Sequence, residues 1–174
     1  HADDPVTDIL FDRARNSFWI LGEHSIAIFS PAGQKMQTRY TGEALTCFAL
    51  SEDNQSLIAG THDGYLTINA GTGEQIGDIQ NKLPCPDLTV IRIVDGKTWF
   101  GSARGAFMLR TDGKFDYYAS KRWIPSDKII DLAKGPGEEV LLLTDKGLGE
   151  IHFESMTLHD KALFFEKQVR ARHI

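Results

Sequence analysis

The sequence predicts an all-β fold assembled from four repeats of one antiparallel unit. Three observations carry that prediction. One short pattern recurs four times at a spacing of about 40 residues. Short apolar runs alternate with turns rich in Gly, Asp, Asn and Ser. The segments before and after each recurrence match as well, so the copies are in register along most of their length.

The recurring segments are Trp19–Ser25, Ile58–Gly64, Trp99–Gly105 and Leu141–Gly147, with starts 39, 41 and 42 residues apart. Each is an apolar run, a small or hydroxyl residue, two polar residues, then Gly or, in the first copy, Ser25. The run is a strand and the polar pair before Gly is a tight hairpin, because Gly adopts positive φ at no steric cost. The strand before it is Val6–Phe11, Leu45–Leu50, Leu88–Ile93 or Ile129–Ala133, joined through residues 12–17, 51–56, 95–97 and 135–139. The strand after it is Ile26–Phe29, Tyr65–Ile68, Ala106–Leu109 or Leu148–Ile151. Turns at Pro31–Gly33, Gly71–Gly73 and Thr111–Gly113 lead to fourth strands at Lys35–Thr41, Glu74–Gln80 and Lys114–Ser120. The fourth copy stops after Phe153 without a fourth strand.

Four-stranded antiparallel units of this length, repeated radially, are the blades of a β-propeller. A sandwich of scattered strands would not need the repeated register. The blades are placed at 6–41, 45–80, 88–120 and 129–153, as a closed four-blade ring or an arc of a larger one. The first strand of each blade lies nearest the axis, covered on both faces, and should be apolar throughout. Asp8, Arg92 and Asp131 interrupt it and need an interblade ion pair, a solvated channel or a ligand. Trp19 and Trp99 share the register of Ile58 and Leu141 and are expected in the core between blades.

Beyond 153 the period changes from strand to helix. Thr157 and Asp160 form a variant capping box. Leu158, Ala162, Phe165 and Val169 make a helical stripe, widened by Phe164, and Arg170, Arg172 and His173 suit the last turn. This amphipathic helix, 157–173, needs a cover. The last blade, a further domain or a protein partner could supply it.

The second and third copies carry a family resemblance, clearest in the third. Trp99–Gly105, Leu109–Gly113, Phe115–Tyr118 and the connection Trp123-Ile-Pro-Ser-Asp127 into Lys128–Leu132 resemble the propeller repeats of two-component-regulator type. In that family an aromatic–aliphatic–small–hydroxyl strand, a polar pair and Gly precede "D-G-x-F-x-x-Y" and "L-P-S-D". The resemblance spans most of 6–153 and is weakest in the first blade, where Ser25 replaces Gly. It implies a propeller from a bacterial sensor or secreted protein, hence an extracytoplasmic location, periplasmic or secreted. Rings of seven blades, or multiples, are usual in the family, so four blades imply a closed four-blade ring or an arc of a larger one, and the abrupt start and the extra helix favour the arc.

Composition closes off other classes. The chain has 174 residues, 41% hydrophobic and 25% charged, which is globular. A net charge of −5 disfavours nucleic acid and anionic membranes. The longest aliphatic run, Val140–Leu143, is far short of a membrane span. Cys47 and Cys85 cannot frame a disulfide scaffold and are expected as buried free thiols. The opening His1-Ala2-Asp3-Asp4-Pro5, without initiator Met or apolar leader, fits a processed chain or a fragment.

No phosphate loop, dinucleotide fingerprint, EF-hand, HExxH or GxSxG occurs, and no metal or cofactor is expected. The pairs Asp3-Asp4, Glu52-Asp53 and Glu138-Glu139 fall at the terminus or in turns, where a solvated role is expected. In a propeller, the loops leading into first strands and the hairpins joining strands two and three open on one face. The hairpins carry His24, His62-Asp63, Arg104 and Asp145-Lys146; the lead-in loops carry Glu43, Asp87, and Trp123 with Asp127. His24, His62, Arg104, Trp123 and Lys146 are therefore the candidate ligand-binding residues. An aromatic plane with such polar groups grips a polar ligand such as a carbohydrate. The bland alternative is that hairpins are polar anyway and Trp123 plugs a blade seam. The functions in competition are a non-catalytic ligand-sensing or glycan-associated module, a protein-interaction scaffold, and the propeller part of a carbohydrate-active enzyme.

Overall fold

The computed structural model describes residues 4–119 and 124–153. Four antiparallel sheets follow one another along the chain. The first holds β1 (Val6–Asp12), β2 (Ser17–Gly22), β3 (Ser25–Ser30) and β4 (Lys35–Thr41). The second holds β5 (Leu45–Leu50), β6 (Ser56–Thr61), β7 (Tyr65–Asn69) and β8 (Gln75–Gln80). The third holds β9 (Leu88–Val94), β10 (Lys97–Ser102), β11 (Gly105–Leu109) and β12 (Phe115–Tyr118). The fourth holds β13 (Ile129–Lys134), β14 (Glu139–Thr144) and β15 (Gly147–His152). Each sheet runs in sequence order from inner to outer strand, the up-and-down blade of a propeller. The expected copies are thus all present, the fourth with three strands among the described residues. The amphipathic helix at 157–173 and the end of the third blade at Ser120 lie outside the described residues.

The copies share a detail that the sequence did not reveal. Every first strand bulges one residue into its pairing, between Val6 and Asp8, Leu45 and Cys47, Leu88 and Val90, and Ile129 and Asp131. A bulge strengthens local twist and re-aims the residues beyond it. Thr7, Thr46, Thr89 and Ile130 are the extra residues. Thr89 uses the position to reach the next blade, its hydroxyl donating to the Ile129 carbonyl at 2.8 Å.

The hydrophobic core is three layers, one at each junction between blades. Trp19, Leu21 and Ile26 of blade I meet Leu45, Phe48, Leu57 and Leu66 of blade II. Cys47, Ala49 and Ile58 of blade II meet Leu88, Ile91, Phe100 and Phe107 of blade III. Trp99, Ala106 and Met108 of blade III meet Ile129, Leu132, Val140 and Leu142 of blade IV. Strand alternation makes this possible, because each blade sends odd and even residues to different neighbours. Trp19 and Trp99 are fully buried in their layers, as their register implied. Trp99 stacks on Tyr118, ring centroids 5.6 Å apart, with Phe153 edge-on at 5.6 Å. Glycine matters where blades come closest: a Cβ on Gly101 would sit 2.6 Å from both Ile129 Cγ2 and Val90 Cγ1.

Two expectations need correction. First strands are not all covered on both faces: β9 is largely buried, but β1 is exposed along most of its length. Blade IV does not pack over it. Of the carboxylate pairs in turns, Glu52, Asp53 and Glu138 are exposed as expected, and Glu139 alone is buried. Glu52 accepts the Gly96 N–H of the neighbouring blade at 2.6 Å. Asp53 accepts from the Ser51 hydroxyl at 2.6 Å. Glu139 is buried and accepts from Gly137 N–H at 3.0 Å, closing its own turn. Each carboxylate satisfies groups that a tight turn strands. Of the polar intrusions near the axis, Arg92 and Asp131 form an interblade ion pair at 2.9 Å. Asp8 is exposed and accepts the Ile9 N–H at 2.8 Å.

Candidate functional site

The hairpins joining second and third strands are held by one repeated device. In blade II the Thr61 hydroxyl donates to the Gly64 carbonyl at 3.2 Å and accepts the Gly64 N–H at 3.0 Å. In blade III the Ser102 hydroxyl donates to the Gly105 carbonyl and accepts the Arg104 N–H at 3.1 Å. In blade IV Thr144 does the same with Gly147 and the Lys146 N–H. These hydroxyls are buried. The hydroxyl at the end of each apolar run thus fixes the hairpin tip, and the tip residues point to solvent.

Blade I departs from this pattern, and the structure explains why. Gly22 stands where the others have Thr or Ser, and Ser25 where they have Gly. Asp4 supplies the missing group: its carboxylate accepts the His24 N–H at 2.9 Å and, in a short bond, the Ser25 hydroxyl. A side chain at 22 would collide with it, since a Cβ there lies 2.3 Å from Asp4 Oδ2. The Ser25 hydroxyl, then the His24 N–H, hold the Asp4 carboxyl below its ordinary value. Sequence reading assigned Asp4 to a solvated terminus. The paired exchange at 22 and 25 was the available signal.

The hairpins and lead-in loops lie at the same end of the blades. The Leu45 N–H donates to the Glu23 carbonyl at 2.7 Å and the Gly42 N–H to the His24 carbonyl at 3.0 Å. The Asp87 N–H donates to the His62 carbonyl at 3.0 Å, and the Asp87 carboxylate faces His62 Nδ1 at 3.4 Å. Asp87 reaches both atoms by adopting a left-handed φ of 58°, which Asp tolerates better than most residues. The first two contacts bind blade I to the approach of blade II. The others bind blade II to the approach of blade III.

The third hairpin is anchored from below. The Arg104 carbonyl accepts the Tyr117 hydroxyl in a short bond and faces the Cys85 thiol at 3.7 Å. Burial of the hydroxyl end, reinforced by Cys85 beside it, pushes Tyr117 up to about 12, so it stays a donor at neutral pH. Cys85 and Cys47 are both buried free thiols, as expected, and burial pushes Cys47 up to about 11.

Of the residues nominated from sequence, His24, His62, Arg104 and Lys146 occupy equivalent hairpin tips, all exposed. The His24 ring Nε2 lies 3.9 Å from the Glu23 carboxylate. Trp123, with its neighbour Arg122, lies outside the described residues. Among the described residues no three His, Cys, Asp or Glu side chains gather as a metal site. No helix of the described residues is long and apolar enough to cross a membrane.

No family model and no curated protein matches the chain. Solved structures do. In fold, the chain is similar to extracellular domains of two-component-system proteins. One from B. thetaiotaomicron has a TM-score of 0.69 at 19% identity, over 83% of this chain and 20% of its own. A second, from the same organism, has a TM-score of 0.70 at 16% identity, over 87% and 23%. A gluconolactonase from Xanthomonas campestris has a TM-score of 0.65 at 16% identity, over 86% and 58%. The chain spans about a fifth of the length of the first two. At these identities the likeness is one of fold.

Proposed function

We propose that this chain is part of a non-catalytic, extracytoplasmic sensing propeller, and that the hairpin face binds a polar ligand of the carbohydrate class. The observation that carries this reading is the shared geometry of the tips. His24, Arg104 and Lys146 sit at one repeated position and His62 next to it, beside Asp63, each on a hairpin tied by a buried hydroxyl or by Asp4. Their backbone is fixed while their side chains stay free to meet solvent or ligand, which is the arrangement a binding face needs. His62 and Asp87 straddle the junction between blades II and III, so a ligand there touches two blades. The sensing role and the location outside the cytoplasm are supported by the extracellular domains that share the fold.

Trp123 enters this reading from sequence, as the aromatic plane on which a sugar ring would pack. Exposed hydrogen bonds contribute about 0.5–1.5 kcal/mol each, so several must act together with that stack. The test is calorimetric titration with neutral and acidic oligosaccharides. Wild type should bind a member of the panel, and His62→Ala, Arg104→Ala and Trp123→Ala should each weaken it. Failure of the wild type to bind any saccharide, or equal binding by all three variants, overturns the reading.

A further inference from the structure

Blade III carries an exposed aromatic ring beside its hairpin that no core layer uses. Tyr117 and Tyr118 are neighbours on β12, and strand alternation sends them to opposite faces of the blade. Tyr118 stacks on Trp99 in the layer against blade IV. Tyr117 belongs to none of the three layers and is 45% exposed. Among the described residues it stacks on no other ring. A single exposed side chain is ordinary, but this one is held in place. Its hydroxyl donates to the Arg104 carbonyl in a short bond, and the Cys85 thiol reaches the same carbonyl at 3.7 Å. The ring lies against Gly105, where a Cβ would stand 2.9 Å from Tyr117 Cε2, so the absence of a side chain at 105 makes room for it. A tyrosine fixed in this way has little rotamer freedom left to lose when something binds on it.

Polar groups surround the ring. The Asp127 carboxylate and the Arg104 guanidinium are both close enough to act on the phenol, in opposite directions. Cys85 lies two residues before Asp87, whose carboxylate faces His62 Nδ1 at 3.4 Å. The loop leading into blade III thus runs from the Tyr117 ring to the contact with hairpin II. We infer that Tyr117 is a sugar-stacking residue of the hairpin face: the C–H face of a pyranose ring packs on its exposed surface, while Arg104 hydrogen-bonds hydroxyl or carboxylate oxygens of the same sugar. The inference rests on the carbohydrate reading proposed above, and it adds an aromatic plane anchored to the hairpin itself.

Calorimetric titration of wild type, Tyr117→Ala and Tyr117→Phe with a neutral cello-oligosaccharide and an acidic oligogalacturonide tests the assignment. Wild type should bind at least one of the two probes. Tyr117→Ala should weaken that binding about tenfold. Tyr117→Phe keeps the ring, and the Cys85 thiol still donates to the Arg104 carbonyl, so its affinity should stay within about threefold of wild type. Proton spectra of the saccharide should show C–H signals moved upfield by the ring with wild type and Tyr117→Phe, and unmoved with Tyr117→Ala. Wild type that binds neither probe overturns the carbohydrate reading and this inference with it. Equal binding by wild type and Tyr117→Ala overturns the inference alone. Equal weakening by both variants also overturns it, since Tyr117 would then act only through the hydroxyl that anchors the Arg104 hairpin. Absence of the upfield shifts with bound wild type overturns it whether or not the alanine variant folds.

Discussion

Replacing Asp12 should reveal how much one buried carboxylate holds the first blade junction together. Its side chain is fully buried at the end of β1. It accepts three hydrogen bonds: from the Arg15 guanidinium at 2.7 Å, the Arg15 N–H at 3.1 Å and the Trp19 indole N–H at 3.1 Å. Asp12→Ala strands the indole N–H inside the layer between blades I and II, a cost of about 1–3 kcal/mol. The Arg15 side chain is partly exposed and can recover hydration, so its loss is smaller. The expected destabilisation is about 2–4 kcal/mol in total. Asp12→Asn keeps an oxygen for the indole but loses the charge, and should cost roughly half as much. The pH dependence follows from the direction of the shift. Burial pushes the carboxyl up, but the Arg15 side chain and N–H and the Trp19 indole outweigh it and hold the group below its ordinary value. A lowered folded value means the contribution is complete above the ordinary carboxylate range and is lost as pH falls through the folded value. Urea unfolding followed by Trp fluorescence, at neutral and acidic pH, measures both effects. An Asp12→Ala variant within about 0.5 kcal/mol of wild type at neutral pH would refute the reasoning.

Two further outcomes are expected. Trp99→Ala should cost on the order of 3–5 kcal/mol, since it empties a fully buried site between Tyr118 and Phe153; an unchanged melting temperature would contradict the layer model. Cys47, with its thiol pushed up to about 11, should resist a thiol reagent at mildly alkaline pH in the native protein and react in denaturant, and rapid native labelling would show that the layer opens.

The sequence made the fold legible because a propeller repeats its local chemistry. Strand, hydroxyl, polar pair and glycine return at each blade, so register alone separated this fold from a sandwich. The junction layers were legible only in part. Trp19 and Trp99 betrayed themselves by register, but the exposure of β1 did not, since Val6, Ile9 and Phe11 are as apolar as the buried strands. Whether such a strand is covered depends on a neighbouring blade, which local sequence does not encode. The hairpin tips were found for the same reason as the fold. Asp4 was missed because its role depends on a contact twenty residues away in sequence, with the backbone of His24. Cys85 was read only as a buried thiol and Tyr117 not at all, because neither belongs to a repeated position, yet both meet the Arg104 carbonyl.

The layered core joins stability to the proposed binding face. In a molecule built this way, each blade is stabilised chiefly by its neighbours, and the total resembles a sum over junctions. The contacts at the hairpin face run across those same junctions: Glu23 and His24 hold the approach to blade II, and His62 holds Asp87 on the approach to blade III. A ligand bridging His62 and Asp87 would therefore add to the junction between blades II and III while leaving the interior of each blade unchanged. Its effect on unfolding would follow its free concentration relative to Kd. The two blades meet through an apolar layer, Cys47, Ala49 and Ile58 against Ile91, Phe100 and Phe107, flanked by hydrogen bonds from the Gly96 N–H to Glu52 and from the Asp87 N–H to the His62 carbonyl. Under the proposed reading, the loops that would hold the ligand are loops that cross the junction between blades II and III.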